Sequence, residues 1–148
     1  RNWTGSTRCS SCDWDESIKH LFFDCLLARV LWRTVQIAFN ITLPISVSSL
    51  FGSWLVGIES ETARQIRVGA CALLWAIWNC INDLAFNRAT TIHFLQVLFR
   101  ATALIRMWSL LTPTEARERL VTGSVRWEMV VRDIFNRFGW RSCNRIGD

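Results

Sequence analysis

A chain of 148 residues with a hydrophobic fraction of 51% can build one core without disulfide staples. Its mean hydropathy is +0.20, yet the uncharged stretch between Arg67 and Asp83 is shorter than the roughly 18 apolar residues of a membrane span, so we expect no membrane insertion. The formal net charge is +5, and Lys19 is the only lysine. Because arginine suits phosphate contacts, this charge is compatible with nucleic-acid binding as well as with an ordinary solvated surface.

Helical spacing dominates the chain, and no convincing hairpin is found. Residues 1–14 are predicted to be irregular, and a helix that Asp15 to Ser17 can cap follows and continues to about Phe39. Residues 40–58 are rich in serine and glycine, which predicts a connecting segment with a short helix around Leu50 to Leu55.

The next helix is predicted to begin with Ser60 as its cap and to continue to about Phe86. It is apolar on most faces, which is typical of a helix in the centre of a bundle. Thr90 or Thr91 is expected to open a fourth helix, whose apolar stripe ends near Leu111.

The C-terminal part begins with a strong helix-start signal, Thr112-Pro113-Thr114-Glu115, which combines a cap, a proline and an acid. It predicts a short helix through Leu120. A last helix is predicted from about Ser124 to Arg137, with Gly139 as its left-handed cap.

Together these elements predict an all-α protein: an irregular zinc-knuckle-like N-terminal loop followed by a bundle of five or six helices. Residues 1–33 form the knuckle-like segment, continuous with the first helix. Residues 34–148 form the bundle with a basic C-terminal tail, and we expect the two parts to make one structural unit.

Six cysteines allow two interpretations. They could form three disulfides in a secreted domain, but Cys71 and Cys80 lie in an apolar helical stretch, where free cysteine behaves as a small hydrophobe. The remaining pattern, Cys9-x2-Cys12-x7-His20-x4-Cys25, has the three thiolates and one imidazole of a tetrahedral zinc site. This favours a reducing compartment. The alternative is that these residues bind no metal: the C-x-x-C pair then arises by chance, the third cysteine is simply buried and the histidine lies on the surface.

Helix geometry makes Cys25 the least secure of these ligands. Residues five apart on a regular helix differ by roughly 140° in direction, so His20 and Cys25 would not face one ion. The helix must therefore break or distort near Asp24 to Leu26, or end at Cys25. Otherwise Asp24 would be a weak substitute ligand, and Cys25 is the one we expect to be out of place.

A longer pattern surrounds the four ligands. It consists of Arg1-Asn2-Trp3-Thr4-Gly5 ahead of the first cysteines, then Glu16-Ser17-Ile18-Lys19-His20-Leu21-Phe22-Phe23-Asp24-Cys25, then Ala28-Arg29 with Trp32, and further on Leu74-Trp75-Ala76-Ile77-Trp78-Asn79-Cys80-Ile81-Asn82-Asp83 with Phe86. These runs resemble the zinc-binding domain of plant non-LTR (LINE-type) retrotransposon reverse transcriptases. This chain has Leu26 where that family usually has proline, and Ile81 where it usually has arginine.

The resemblance implies a non-catalytic module that binds Zn²⁺ through Cys9, Cys12, His20 and Cys25 and helps a reverse transcriptase to hold template RNA or DNA. It implies a fragment of a larger protein, with reverse transcriptase domains as partners, inside the cell in the nucleus or cytoplasm. The polymerase aspartates are not in this chain. It also has no glycine-rich phosphate loop, GxSxG elbow or HExxH motif, so we expect no enzymatic activity.

Two regions compete as nucleic-acid contacts, one around the cysteine loop and one, with the larger charge excess, at the C-terminus. The candidates are Arg8, Lys19, Arg132, Arg137, Trp140, Arg141 and Arg145, with Trp3 and Trp14 as possible stacking residues. The alternative function is a helical protein-interaction or structural remnant that has lost zinc and nucleic-acid binding. Nine tryptophans and nine phenylalanines exceed what one small core needs, which predicts self-association through exposed aromatics.

Overall fold

Six helical segments and no strand make up the part of the chain that the structure, a computed structural model, describes: residues 8–9 and 12–138. They are a π-helix at His20–Asp24, α1 at Leu26–Phe39, α2 at Val47–Phe51, α3 at Ser60–Ala85, α4 at Phe94–Ser109 and α5 at Thr114–Phe138. A cysteine-rich loop precedes them. The predicted all-α class is confirmed, whereas the predicted division at residue 33, which falls inside α1, stays a prediction.

The helices pack around one shared core. The most extensive contacts join α4 to α3 and to α5, while α1 packs mainly on α5. The π-helix contacts α1 and α3, so the cysteine-rich segment lies against the bundle. The largest fully buried side chains come from α1 to α5 and include Leu31, Leu50, Leu73, Phe94 and Trp127.

Amphipathic periodicity explains α1. Its buried residues follow the predicted spacing of three and four: Leu27, Ala28, Leu31, Trp32, Thr34, Val35 and Ala38. The helix ends at Asn40, which adopts the left-handed conformation with φ 51°, as a short polar residue can at little cost. The loop that follows reaches α2, where Ser46 and Ser49 form a reciprocal capping box, so the short helix begins earlier than predicted.

α3 is not buried on most faces, so the prediction of a central helix is wrong. Its buried side is made largely of small residues, which permit close packing, whereas Trp75 and Trp78 are 51% and 41% exposed. α3 is also the one described helix that is long and apolar enough to cross a membrane, with 33% of its apolar window buried. Core helices of soluble proteins, which are mostly buried, pass the same test of length and composition. The expectation that this apolar stretch is too short to span a membrane is nevertheless wrong, because α3 has 26 residues.

Two helix starts, those of α3 and α4, differ from prediction. The α3 cap is Glu59 rather than Ser60, since its carboxylate accepts hydrogen bonds from the backbone N–H groups of Glu61 and Thr62 at 2.8 Å. α4 begins only at Phe94, after an extended His93 that makes no side-chain cap.

α5 is one helix of 25 residues, so the predicted division into two helices is wrong. Gly123, between the two predicted helices, lies within α5. A Cβ atom there would lie 3.7 Å from the ring of Phe39, so the position allows close packing on α1 while keeping helical geometry. At the other end, Phe138 is 71% exposed rather than buried, and the predicted cap at Gly139 lies outside the described residues.

Candidate metal centre

Cys9, Cys12, His20 and Cys25 converge on one point. Their ligand atoms all lie within 4.8 Å of one another. The Sγ of Cys25 is 3.7 Å from that of Cys9 and 3.8 Å from that of Cys12, and the Cys12 Sγ is 3.0 Å from Nε2 of His20. Three soft sulfurs and an imidazole nitrogen at this spacing could hold a metal ion.

A tight backbone loop presents the first two ligands. The backbone N–H of Cys9 donates to the carbonyl of Trp14 at 2.7 Å, and that of Asp13 donates to the carbonyl of Cys9 at 3.0 Å. Asp13 adopts a left-handed conformation with φ 59°, which reverses the chain directly after Cys12. The turn thereby directs both thiols to the same side.

The π-helix brings the other two ligands together. The backbone N–H of Cys25 donates to the carbonyl of His20, five residues earlier, at 2.7 Å. This wider turn places Cys25 above His20, which a regular α-helix does not. Cys25 then turns to an extended conformation, with φ −58° and ψ 141°, and α1 begins at Leu26.

The helix therefore breaks where the ligand geometry requires it, between Asp24 and Leu26, and it does so without a proline. The expectation that Cys25 is the ligand out of place is wrong: it lies in the cluster and is 3% exposed. Asp24 takes no part in the cluster and instead pairs with Lys19 at 3.1 Å.

Trp32 anchors this segment to the bundle, a role that sequence reasoning missed. Its indole N–H donates to the carbonyl of Phe22 at 2.8 Å, and its ring stacks on Phe23 with centroids 5.9 Å apart. The sequence spacing indicates this contact, because Trp32 follows Cys25 by seven residues and therefore lies two helical turns along the same face. The same tryptophan belongs to the family pattern.

Burial raises the pKa of one thiol in the cluster, that of Cys25. Desolvation is the main cause that raises the pKa of the Cys25 thiol to about 12, and the nearby thiolates of Cys9 and Cys12 act in the same direction. A backbone hydrogen bond from Leu27 opposes the shift. Without a cation the Cys25 thiol therefore stays neutral at neutral pH, whereas a divalent ion would supply the charge that stabilises its thiolate.

The structure records no disulfide among the described cysteines, so the interpretation with three disulfides has no support within residues 8–9 and 12–138. Cys71 and Cys80 lie in α3, away from the cluster. Burial raises the pKa of each of these thiols, which agrees with their predicted behaviour as small hydrophobes.

Three of the predicted nucleic-acid contacts are engaged with neighbouring acids. Arg8 pairs with Asp13 at 3.1 Å, Lys19 with Asp24 at 3.1 Å and Arg137 with Asp133 at 3.0 Å. All three pairs are exposed, so solvent screens them and a competing phosphate could displace the acid.

Of the other candidates, only Arg132 lies within the described residues. Arg132 is exposed on α5, whereas Trp140, Arg141 and Arg145, like Trp3, lie outside the described residues. Trp14 is 72% exposed beside the cysteine loop. It therefore does not wedge into the bundle, and its ring is accessible to a partner.

The resemblance to reverse transcriptase zinc-binding domains rests on the residue pattern alone. Comparison of the chain with protein-family models, with curated proteins and with solved structures gives no match. What can be stated of this chain is therefore its helical fold and a four-residue cysteine–histidine cluster that could bind a metal.

Proposed function

We propose that the protein is a non-catalytic module organised by a structural Zn²⁺ ion bound to Cys9, Cys12, His20 and Cys25. The spacing of the sulfur atoms carries this proposal. A tetrahedron with zinc–sulfur distances of about 2.3 Å has its sulfurs about 3.8 Å apart, and the two recorded sulfur pairs are 3.7 and 3.8 Å apart. The closer Cys12–His20 contact is a thiol–imidazole hydrogen bond that the ion would replace.

The donor set favours zinc and a structural role. Calcium and magnesium prefer oxygen ligands, whereas three thiolates with one imidazole are typical of closed, four-coordinate zinc sites. Four protein ligands leave no position for a reactive water, which supports binding rather than catalysis. The ion would join the cysteine loop and the π-helix to the start of α1. Ahead of α1, the buried residues in the described part of the chain are Cys9, Phe23 and Cys25.

The module's proposed partner is single-stranded RNA or DNA, in the setting of a retrotransposon-type reverse transcriptase. The exposed ring of Trp14 next to the metal loop supports this, because bases stack on accessible aromatic rings. Arg29 and Arg33 are exposed one turn apart on α1, close in sequence to Cys25. The net charge of +5 adds a general attraction to phosphate.

Metal analysis tests the zinc proposal. Protein purified without chelator is expected to contain about one zinc ion per chain, and Cys12→Ser is expected to lose it because one of four ligands is removed. Cys71→Ser is the matched control, since that thiol lies on α3 outside the cluster. A metal-free wild-type protein that keeps its full stability in the presence of a chelator would contradict the proposal.

Nucleic-acid binding is tested separately on the zinc-loaded protein by fluorescence anisotropy with single-stranded RNA. Binding is expected to weaken as salt increases, and Trp14→Ala to weaken it by roughly tenfold, because stacking contributes about 1–3 kcal/mol per base. Trp75→Ala is the control, an exposed tryptophan on α3. Equal losses in both variants, or no binding at low salt, would remove the nucleic-acid part and leave the zinc proposal intact.

One observation favours the alternative of a helical interaction module. Trp75, Trp78 and Phe86 are each at least 41% exposed along α3, and a run of aromatic side chains in water marks an interaction surface. Sedimentation equilibrium tests this alternative. Self-association that depends on concentration and disappears in Trp75→Ala/Trp78→Ala would favour it, whereas a monomer that binds RNA would contradict it.

A further inference from the structure

A cavity of about 310 Å³ opens between α1, α3 and α5, away from the cysteine cluster. Its walls are mainly apolar and include three tryptophans, Trp32, Trp54 and Trp127. Two glycines, Gly69 and Gly123, also line it. Both lie within helices, where glycine is unfavourable relative to alanine, and their missing side chains widen the space.

The polar atoms of the tryptophan wall are already used within the protein. The indole N–H groups donate to the Phe22 carbonyl, to the Thr42 carbonyl and to the Thr34 hydroxyl, at 2.8, 2.6 and 2.8 Å. Each ring therefore offers only apolar surface to the cavity. Water has few hydrogen-bond partners against such a wall, whereas an apolar molecule loses nothing there.

Three of the polar residues that line the cavity lie at one end, while the hydroxyl of Ser124 donates to the Val121 carbonyl. Thr62, Gln65 and Arg119 line the cavity and also the shallower depression next to it, so they mark its mouth. Thr62 donates its hydroxyl to Glu59, and the Gln65 amide nitrogen is 3.5 Å from Glu61. Arg119 is the one charged residue that lines the cavity itself. It attracts the nearby carboxylate of Glu59 in the adjacent depression, and a guanidinium can bind further carboxylate oxygens in pairs.

We propose that this cavity is a binding site for a small monocarboxylic acid with an apolar, ring-containing body, the carboxylate meeting Arg119 and the body lying against the three tryptophans. Size sets the body. An apolar cavity of about 150 Å³ takes one benzene ring, so a space about twice as large fits two fused rings or an aliphatic group of equal volume. None of the four proposed zinc ligands lines this cavity.

The probe is 2-naphthoate, titrated into the zinc-loaded protein by calorimetry and by two-dimensional NMR. One-to-one binding is expected, with the largest shifts at Trp54, Trp127 and Gly123. Arg119→Gln is expected to weaken 2-naphthoate at least tenfold while leaving the neutral 2-naphthalenemethanol unchanged. An alcohol that binds wild type as tightly as the acid, or an acid unaffected by Arg119→Gln, would overturn the carboxylate assignment.

Filling the cavity provides the second arm. Gly123→Leu is expected to abolish binding, whereas Ala103→Leu, at an exposed position of α4, should leave it unchanged. If Gly123→Leu fails to fold, a size series on wild type replaces it: 2-anthroate, with a third ring, is expected to bind more weakly than 2-naphthoate. Absence of saturable binding, shifts centred on Trp75, or tighter binding of the larger acid would overturn the proposal.

Discussion

Cys25 closes the π-helix through its backbone and opens α1 in an extended conformation, so the residue after it sits at a helix start. Its φ of −58° and ψ of 141° lie in the region that a residue before proline prefers. Leu26 occupies the first helical position, where a proline costs no intrahelical hydrogen bond. The backbone at Leu26 is therefore compatible with the proline that reverse transcriptase zinc-binding domains usually have at this position.

We expect Leu26→Pro to be tolerated. Loss of a half-buried leucine side chain is opposed by the smaller entropy of the unfolded chain, so the free energy of unfolding should change by less than about 1 kcal/mol. Zinc content should stay at the wild-type level. Urea unfolding followed by circular dichroism, together with metal analysis, measures both quantities.

Arg33→Pro is the control for that substitution, because Arg33 lies inside α1 and its side chain is exposed to solvent, so that the substitution removes no buried side chain. A proline there removes a helix hydrogen bond and should cost about 3 kcal/mol or more. If Leu26→Pro were as damaging as Arg33→Pro, the break between the π-helix and α1 would not lie at Cys25.

Glu59 gives a pH-dependent prediction at the start of α3. Hydrogen bonds from the backbone N–H groups of Glu61 and Thr62 lower the pKa of its carboxyl from 4.5 to about 2. A carboxyl whose folded pKa is lowered stabilises the fold above its unfolded pKa, and this contribution is lost as pH falls towards 2. Glu59→Gln, which resembles the protonated group, should therefore lower the melting temperature at pH 6.

The difference in melting temperature between wild type and Glu59→Gln is expected to be constant above about pH 5 and to narrow below the unfolded pKa. Thermal scans from pH 6 to pH 3 measure this difference. Glu61→Gln is the control, because Glu61 lies in the first turn of α3 but is not the capping residue. A difference that did not change with pH would show that the lost contact is not electrostatic.

Among the elements, α1 and α5 are joined by one buried hydrogen bond between distant parts of the chain. The indole N–H of Trp127 donates to the hydroxyl of Thr34 at 2.8 Å, and that hydroxyl donates to the carbonyl of Leu31 at 2.7 Å. Both side chains are at most 3% exposed. No water is therefore at hand to replace a missing partner for the indole.

We expect Thr34→Val to lower the free energy of unfolding by about 1–3 kcal/mol, because it leaves a buried donor unsatisfied while keeping the side-chain volume. Thr34→Ser keeps the hydroxyl and should retain the hydrogen bond at the cost of one methyl group. Denaturant unfolding of both variants measures the difference. A Thr34→Val protein as stable as wild type would contradict the importance of this contact.

Periodicity in the sequence predicted the elements where one face is buried continuously, as in α1. It failed where tertiary contacts or backbone shape decide. The sequence predicts two helices where α5 is continuous. It also predicts that α3 is buried on most faces, whereas Trp75 and Trp78 are exposed to solvent. The four ligands followed from spacing alone, whereas their convergence depends on a five-residue hydrogen bond that ligand spacing does not encode.

For the whole molecule, a chain of aromatic contacts couples the candidate metal segment to the bundle. Phe23 stacks on Trp32 at 5.9 Å, and Trp32 meets the edge of Trp54 at 5.8 Å between ring centroids. The bundle itself is held by the contacts of α4 with α3 and α5, which involve no ligand. Loss of zinc should therefore loosen the N-terminal segment first and reach the bundle only through Trp32.

Hydrogen exchange of the zinc-loaded protein, with and without chelator, tests this order. Without zinc, the amides of the cysteine loop, the π-helix and the first turn of α1 are expected to lose protection, because the proposed ion would be what joins these segments. The amides of α4 and α5 should keep most of theirs. Cys12→Ser without chelator should reproduce the pattern, and Cys71→Ser should not. Uniform loss of protection along all helices would instead mean that zinc binding and folding of the bundle are one cooperative event.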